Sequence, residues 1–175
     1  VRDTPISEEA ITGAVMGAAM NGLRPIAEIM FSDFFATCWD IVANQIAKAR
    51  YMTDGQITLP LVIRSANGGG ARFGAQHSQA MENWAMAVPG LKVVAPSNPR
   101  DVIGLLAASV RADDPVIFLE HKHLYRQVYN KGRNPCPDFM IQFGKAKVVR
   151  EGSDLTLVTA GALVKRSLYA AKLAS

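Results

Sequence analysis

Residues 89–119, PGLKVVAPSNPRDVIGLLAASVRADDPVIFL, contain the clearest structural unit of the chain. Lys92 to Pro96 predicts a short strand, and Val116 to Leu119 predicts a second strand that is buried on both faces. Between them, Asn98 is expected to cap a helix that begins at Pro99. The apolar stripe of that helix consists of Val102, Leu105, Leu106 and Val110. A strand, a helix and a second strand in this order predict a parallel pair joined by a right-handed crossover.

The same alternation of strands and helices continues toward the N-terminus. The predicted elements are a helix over residues 4–21, a strand over 24–31, a helix from a cap at Ser32 or Asp33 to about Met52, a strand over 59–65 and a helix over 77–87. Pro5 suits the first turn of the first helix, and Glu8 and Glu9 suit its positive end. We therefore predict an α/β fold with a mainly parallel sheet flanked by helices.

Residues 126–138 interrupt this alternation because they contain Asn130, Gly132, Pro135 and Pro137. Such residues favour turns and loops over regular structure. We expect a first domain over residues 1–125, a linker over 126–140, and the truncated start of a second α/β domain over 141–175. In that last part the predicted elements are strands over 145–150 and 155–159 and a helix over 162–174.

The chain has 175 residues and a formal charge of +4. Its clearest basic cluster consists of Lys122, Arg126, Lys131 and Arg133. Neither interleaved aromatic residues nor a known reader motif accompanies this cluster, so no nucleic-acid partner is expected. A solvated loop, or a rim that faces an acidic partner, is the favoured interpretation. No apolar run reaches the ~18 residues that a membrane helix needs, so no membrane association is expected.

Two local features suggest a ligand site but are incomplete. Gly68-Gly69-Gly70 lacks the Lys-Ser/Thr ending of a phosphate-binding loop, and a flexible surface turn is its alternative interpretation. His121 and His123 lie two residues apart on a strand end and so point to one face. No third metal ligand is adjacent, and a surface strand end is therefore favoured over a metal site.

Eight short stretches occur together in one order along the chain. They are Asp3–Glu8 (DTPISE), Gly22–Pro25 (GLRP), Asp33-Phe34, Ala47–Met52 (AKARYM), Gln76–Gln79 (QHSQ), Pro89–Val94 (PGLKVV), Asp114–Ile117 (DPVI) and Gly144–Ala146 (GKA). In this combination the chain resembles the pyrimidine-binding domain in the β-subunits of thiamine-diphosphate-dependent 2-oxo acid dehydrogenases. That family includes the pyruvate, branched-chain 2-oxo acid and acetoin enzymes, and transketolase shares the fold more distantly.

The resemblance implies two residues that touch the pyrimidine end of thiamine diphosphate. Glu8 matches the family's glutamate, whose carboxyl group bonds to a ring nitrogen and drives the tautomer that activates the cofactor. The residue alone leaves open that Glu8 only complements a helix dipole. Phe34 matches the aromatic residue that stacks on the ring, with Phe35 as an alternative, and Met30 is expected to line the same site. Because aromatic residues here also suit a core, at least one is expected to be buried there.

His77 matches the family's histidine at the active-site channel. There the resemblance implies stabilisation of intermediates or help in passing the acyl group to a lipoyl group. Imidazole can donate or accept a proton near neutral pH and therefore suits such a role. Without the surrounding motif, a helix-start histidine that caps or packs would be the alternative.

The family further implies a monovalent cation, usually potassium, held mainly by main-chain carbonyls. The matching positions are Leu61, Ser109, Val110, Ala112 and Asp114. Ala112 replaces a common acidic residue there. The family binds the cofactor's diphosphate and magnesium on an α-subunit through a Gly-Asp-Gly…Asn motif, which is not found in this chain. We therefore expect an α2β2 heterotetramer in which this chain is active only with its α-subunit. A small-residue helix face around Gly13 and Gly17 suits either a subunit interface or packing within the chain.

Three functions remain open at this stage. The first is the β-subunit of a 2-oxo acid dehydrogenase complex, foremost pyruvate dehydrogenase, that passes an acyl group to the lipoyl domain of an acyltransferase core. Acetoin dehydrogenase is the alternative substrate assignment, partly because acetoin-type subunits have a similar glycine-rich loop. The second is a transketolase-type enzyme, and the third is a non-catalytic assembly module of the same fold. The expected location is the cytoplasm of a bacterium, or the mitochondrial matrix or plastid of a eukaryote.

Overall fold

The computed structural model describes all residues from 1 to 175. Its centre is a sheet of four parallel strands in the order β1-β2-β4-β3. The strands are β1 (Ile26–Ile29), β2 (Val62–Asn67), β3 (Lys92–Val94) and β4 (Val116–His121). This arrangement confirms the predicted α/β class with a mainly parallel sheet.

Helices and short turns connect and cover the strands. The α-helices are α1 (Glu8–Met20), α2 (Phe35–Asp40), α3 (Ala49–Met52), α4 (Glu82–Met86), α5 (Pro99–Arg111) and α6 (Leu163–Leu173). A π-helical segment, Ile41–Ile46, continues α2, and 3-10 turns occupy Ser32–Phe34, Ala75–His77 and Lys122–Arg126. None of the helices combines the length and the apolarity that a bilayer crossing requires.

The two faces of the sheet are covered by different helices. On one face, Ile63 and Leu119 belong to the core formed with α1, α2 and the π-helical segment. On the other face, Val62, Val116 and Phe118 pack against the apolar side of α5. Each of these five side chains is at most 1% exposed, and burying one contributes about 1.5–3 kcal/mol. Strands covered on both sides explain the nearly continuous apolar runs in the sequence.

Helix α5 begins as predicted, whereas α1 begins later. Asn98 accepts a hydrogen bond from the Asp101 N–H at 3.0 Å, and Pro99 lies in the first turn of α5. Helix α1 starts at Glu8, so Pro5 lies ahead of the helix and its predicted place in the first turn is wrong.

The single helix predicted from Ser32 to Met52 is wrong, because this stretch is divided into a 3-10 turn, α2, the π-helical segment and α3. Neither Ser32 nor Asp33 caps a helix. The Ser32 hydroxyl donates to Asn67, and the Asp33 carboxylate accepts from Gln79. Both partners lie far along the chain, so the local sequence could not show that these side chains bond to them instead of capping a helix.

The helix predicted over residues 77–87 is also shorter than expected, since α4 begins at Glu82. The N–H groups of Gln79 and Met81 donate to the side chains of Asp33 and Asn67, respectively, instead of to helical carbonyls. Similarly, β2 begins at Val62 and not at residue 59. Pro60 has no N–H to donate to a ladder, which explains the later start.

The strands predicted over residues 145–150 and 155–159 are not formed. Their apolar side chains are largely exposed, as for Val148 at 68% and Val158 at 92%. A strand gains stability only when neighbouring strands or a packed face satisfy it, and neither covers these residues. Helix α6 is present near the predicted position. The division of the chain at residues 126–140 stays a prediction.

Candidate active site

Aromatic side chains from two loops meet at the carboxyl edge of the parallel sheet. Phe31 and Phe34 follow β1, and Phe73 and His77 follow β2. The His77 ring centroid lies 4.6 Å from that of Phe31 and 5.4 Å from that of Phe34. Phe31 in turn contacts Phe34 and Phe73 at 5.9 Å. Because ligands of open α/β sheets bind at this edge, the cluster marks the candidate site.

Thr37 connects Glu8 to this cluster. Its Oγ1 donates to the Phe34 carbonyl at 2.8 Å and lies 3.3 Å from Glu8 Oε2. The first residue of α1 therefore lies beside the turn that contains Phe34. Glu8 is partly exposed, so its carboxyl group is accessible from outside this chain. The structure brings Glu8, Phe34 and His77 to one region, while their individual roles stay predictions.

Phe34 and Phe35 have different environments. Phe35 is 1% exposed in the core and meets Trp39 edge-on at 6.4 Å. Phe34 is partly exposed, and the rings of Phe31 and His77 stand at 84° and 81° to it, so neither lies parallel to its face. Phe34 is thus available to a flat ligand, whereas Phe35 is not. Met30 lies between β1 and the cluster and is 65% exposed, and the ring contacts described above do not include it.

Asn67, at the end of β2, fixes the loop that contains His77. It is fully buried, and its Oδ1 accepts from the Ser32 hydroxyl at 2.8 Å and from the Met81 N–H at 3.0 Å. Its Nδ2 donates to Glu82 at 2.7 Å. The sequence-based predictions for this loop included only Gly68, Gly69 and Gly70, and Asn67 was missed. The available signal was a polar residue placed directly between a buried strand and a run of glycines.

The glycine-rich loop packs against the two histidines that follow β4. Gly68 has φ +76°, and a Cβ added to it would lie 2.5 Å from Nε2 of His121. Gly70 has φ +93°, and its added Cβ would lie 3.0 Å from Nδ1 of His123. The loop is therefore not a free surface turn, and Gly68 and Gly70 are required by backbone conformation and by close approach.

The same contacts correct the surface interpretation of the two histidines. His121 and His123 are partly buried, and burial lowers the pKa of His121, which favours its neutral form. No group of three or more His, Cys, Asp or Glu side chains suited to a metal ion occurs in the chain. In this structure the imidazoles of His121 and His123 lie against Gly68 and Gly70.

Lys122 does not belong to the basic surface cluster in which sequence analysis placed it. It is only 6% exposed, and its Nζ lies 5.2 Å from the Phe31 ring centroid. The prediction was wrong because a lysine directly after a strand gives no local sign that its side chain turns inward. Arg126 and Arg133 are exposed, as expected for a solvated loop.

The residues predicted to hold potassium already have other partners. One nitrogen of the Arg24 guanidinium donates to the carbonyls of Val110 at 3.1 Å and Ala112 at 2.9 Å. The Asp114 carboxylate is bonded by Lys92, which holds the pKa of Asp114 below its usual range. A monovalent cation placed here would meet a guanidinium charge. The arrangement as it stands does not fit such an ion, and the ligand set stays a prediction.

Of the two glycines on the small-residue face of α1, only Gly13 packs against another part of the chain. A Cβ added to Gly13 would lie 3.6 Å from the Ile41 side chain, which is ordinary packing within the chain. A Cβ added to Gly17 would meet nothing within 4 Å. Packing within the chain therefore accounts for Gly13, and the interface alternative stays open for Gly17.

A known family model matches most of the chain. Residues 1–128 match the model of the family described as transketolase, pyrimidine binding domain. The matched residues include all four strands and every member of the aromatic cluster.

Characterised relatives match nearly the whole chain. It is 50% identical over 169 residues to the acetoin:2,6-dichlorophenolindophenol oxidoreductase subunit beta of Cupriavidus necator, covering 97% of this chain and 49% of the relative. It is 45% identical over 172 residues to the 2-oxoisovalerate dehydrogenase subunit beta of Bacillus subtilis, covering 98% and 52%. It is 45% identical over 173 residues to the pyruvate dehydrogenase E1 component subunit beta of Acholeplasma laidlawii, covering 99% and 52%. The chain thus spans about half the length of the curated relatives it matches.

A solved structure shares the fold. It is described as a split gene transketolase, inactive beta4 tetramer, and is 25% identical to this chain with a TM-score of 0.71. The match covers 96% of this chain and 50% of that structure.

Proposed function

Because this chain belongs to the family of transketolase pyrimidine-binding domains, we propose that it forms one half of the active site of a thiamine-diphosphate-dependent dehydrogenase that acts on 2-oxo acids. The observation that supports this most strongly is the position of Glu8. Its carboxyl group lies next to Thr37, which also bonds to the Phe34 carbonyl. An acid and an available aromatic ring at the carboxyl edge of a parallel sheet suit the pyrimidine end of the cofactor.

Glu8 and Phe34 are the residues of this chain that would hold the cofactor. Bound there, thiamine diphosphate would supply a nucleophilic carbon suited to the carbonyl group of a 2-oxo acid. Phe34 offers a ring with no parallel partner in the chain, and a flat heteroaromatic ring gains contact area by stacking on it. Glu8 would hold a proton against a ring nitrogen. Sharing that proton strongly requires removal of water, because a low dielectric strengthens the hydrogen bond.

In this chain Glu8 remains partly exposed, so its desolvation must come from the cofactor and from a facing subunit. We place the diphosphate and its magnesium on that α-subunit, because the corresponding motif is not found here. The proposed assembly is an α2β2 heterotetramer, active only when both subunits are present. The proposed location is the cytoplasm in a bacterium, or the mitochondrial matrix or plastid in a eukaryote.

His77 is proposed to serve the second half of the reaction, in which the acyl group passes to a lipoyl domain. Its ring lies against Phe31 and Phe34. A ligand stacked on Phe34 would therefore lie near His77. An imidazole at that place can give or accept a proton as the acyl group leaves the site. Met30 is proposed to line the entrance, where it is largely exposed.

Pyruvate is the proposed substrate, and acetoin is the second candidate. The acetoin assignment is favoured by the 50% identity to the Cupriavidus necator subunit and by the glycine-rich loop at the site. Both molecules contain a carbonyl carbon on which the same cofactor could act. The choice between them depends on side chains of the facing subunit as well as on this chain.

Co-expression with the cognate α-subunit tests the proposal. The purified complex should convert one of pyruvate, a branched-chain 2-oxo acid or acetoin, and turnover should require thiamine diphosphate and magnesium. Glu9→Gln is the matched control for Glu8→Gln, because Glu9 is the exposed neighbour in the same helical turn. A folded α/β complex that converts none of the three substrates would refute the enzymatic assignment and favour an assembly module.

A further inference from the structure

A group of buried polar residues lies beside the aromatic cluster. Ser32 and Asn67 are fully buried, and Asp33 and Lys122 are each only 6% exposed. Burying charged side chains is unfavourable unless other groups compensate them. Ser32 and Asn67 satisfy one another directly at 2.8 Å. Asp33 and Lys122 are the two charged members and need a separate explanation.

Asp33 links the two segments that contain Phe34 and His77. Its Oδ1 accepts hydrogen bonds from the Gln79 backbone N–H at 3.1 Å and from the Gln79 side-chain Nε2 at 3.0 Å. Asp33 immediately precedes Phe34, and Gln79 follows His77 by two residues. One carboxylate oxygen therefore holds the His77 loop against the turn that contains Phe34. The other oxygen, Oδ2, is buried without a hydrogen-bond partner.

Lys122 is a buried cation beside the same aromatic cluster. Its Nζ lies 3.4 Å from the Ala66 carbonyl and 5.2 Å from the Phe31 ring centroid. Burial lowers the pKa of Lys122, and the negative charge of Asp33 opposes that change. A cation over an aromatic face is itself attracted to the ring. Lys122 thus lies against Phe31, whose ring contacts His77 at 4.6 Å, and Phe31 precedes Asp33 by two residues.

We propose that Asp33 is a positioning residue that fixes His77 relative to Phe34, and that the buried charge of Lys122 maintains Asp33 in this role. This inference rests on the function proposed above for His77 and adds two residues to it. Neither residue needs to touch substrate or cofactor. Both act through the place and orientation of the His77 loop.

Hydrogen exchange in the full chain tests the positioning directly and does not depend on turnover. Asp33→Asn keeps the shape and one acceptor oxygen but removes the charge, which weakens the bonds to Gln79. Amide exchange in residues 71–81 should become ~10-fold faster, the effect of losing about one hydrogen bond. Asp40→Asn is the matched control, because Asp40 is exposed on α2 and bonds only to Asn44. An unchanged exchange rate in a folded Asp33→Asn chain would overturn the proposal.

Two further variants separate charge from hydrogen bonding. Lys122→Met removes the cation and keeps the stem, so the double variant Asp33→Asn/Lys122→Met contains no uncompensated charge. Its exchange should be slower than that of Asp33→Asn alone, and an equal or faster rate would overturn the role of Lys122. If Asp33→Asn does not fold, Gln79→Ala removes one of the two bonds without changing any charge. It should accelerate exchange in the same segment, and unchanged exchange would equally overturn the role of Asp33.

Kinetics in the α/β complex then show whether positioning serves the reaction. Asp33→Asn should reduce lipoyl-dependent turnover ~10-fold more than decarboxylation measured with an artificial electron acceptor. In a His77→Ala background the same substitution should cost little further, because residues that act as one unit are not additive. An Asp33→Asn loss that is equal in both assays, or undiminished without His77, would show a general structural role and refute the proposal. A wild-type complex without turnover would instead refute the proposed function, while the exchange result still decides whether Asp33 holds the loop.

Discussion

Gly68→Ala should destabilise the chain strongly, because the residue is constrained in two independent ways. At φ +76° an alanine occupies the left-handed region, which costs about 1–2 kcal/mol for a residue with a Cβ. That Cβ would also lie 2.5 Å from Nε2 and 2.7 Å from Cδ2 of His121, and relieving such overpacking costs about 1–3 kcal/mol. The expected loss in the free energy of unfolding is therefore about 2–5 kcal/mol.

Urea unfolding followed by circular dichroism measures this loss. Gly17→Ala is the matched control, because Gly17 lies inside α1 and an added Cβ would meet nothing within 4 Å. That substitution should stabilise the chain by about 0.5–1 kcal/mol, since alanine is the better helix former.

The role of His121 is tested by repeating Gly68→Ala in a His121→Ala background. There the overlap is absent, and the cost should fall to the backbone strain of about 1–2 kcal/mol. A cost below ~0.5 kcal/mol in the original chain, or the same cost in both backgrounds, would refute the packing of this loop on the imidazole.

Three further outcomes are expected. Because no diphosphate-binding motif is found, the chain without its α-subunit should bind thiamine diphosphate weakly or not at all, and calorimetry that gave micromolar affinity in the presence of magnesium would contradict the shared site. His77→Ala should impair the lipoyl-dependent reaction of the α/β complex more than decarboxylation with an artificial electron acceptor, and equal losses would count against a role in acyl transfer. Burial raises the pKa of Cys38 from 9.0 to about 11, so the unfolded chain loses that proton at lower pH than the folded chain. The contribution of Cys38 to stability should therefore be complete below pH 9 and be lost as the pH rises to about 11. The free energy of unfolding measured across this pH range should decline less steeply in Cys38→Ala than in the wild-type chain. Parallel curves would contradict the raised pKa of Cys38.

Sequence patterns predicted the features that depend on neighbouring residues. The cap at Asn98 depends on a residue three positions away, and β4 is a continuous apolar run, so both could be recognised locally. The motif around Glu8 and Phe34 located the candidate site, and the structure brings both residues to the carboxyl edge of the sheet.

The features that were missed depend on contacts between distant parts of the chain. Asp33 accepts a hydrogen bond from Gln79, 46 residues further along the chain. Because of this contact, neither of the helices predicted to begin near Asp33 and near His77 begins there. The inward direction of Lys122 and the packing of Gly68 on His121 arise only when loops after β2 and β4 meet. The strands predicted over residues 145–150 and 155–159 failed for a different reason. A strand-like sequence forms no strand when no neighbouring strand pairs with it.

Glu8→Gln in the α/β complex tests whether Glu8 activates a bound cofactor. Glutamine keeps the size and the hydrogen-bonding ability of the side chain but removes the acidic proton. If Glu8 only complements the positive end of α1, the change should cost about 0.3–1 kcal/mol of stability and leave turnover almost intact. If Glu8 shares a proton with the pyrimidine ring, turnover should fall by ~100-fold or more while the complex remains folded.

The deciding measurement is the isotope exchange rate of the thiazolium proton in complexes saturated with thiamine diphosphate. This rate should fall together with turnover in Glu8→Gln and stay at the wild-type value in Glu9→Gln. A wild-type exchange rate in the folded, cofactor-saturated Glu8→Gln complex would show that Glu8 does not activate the cofactor.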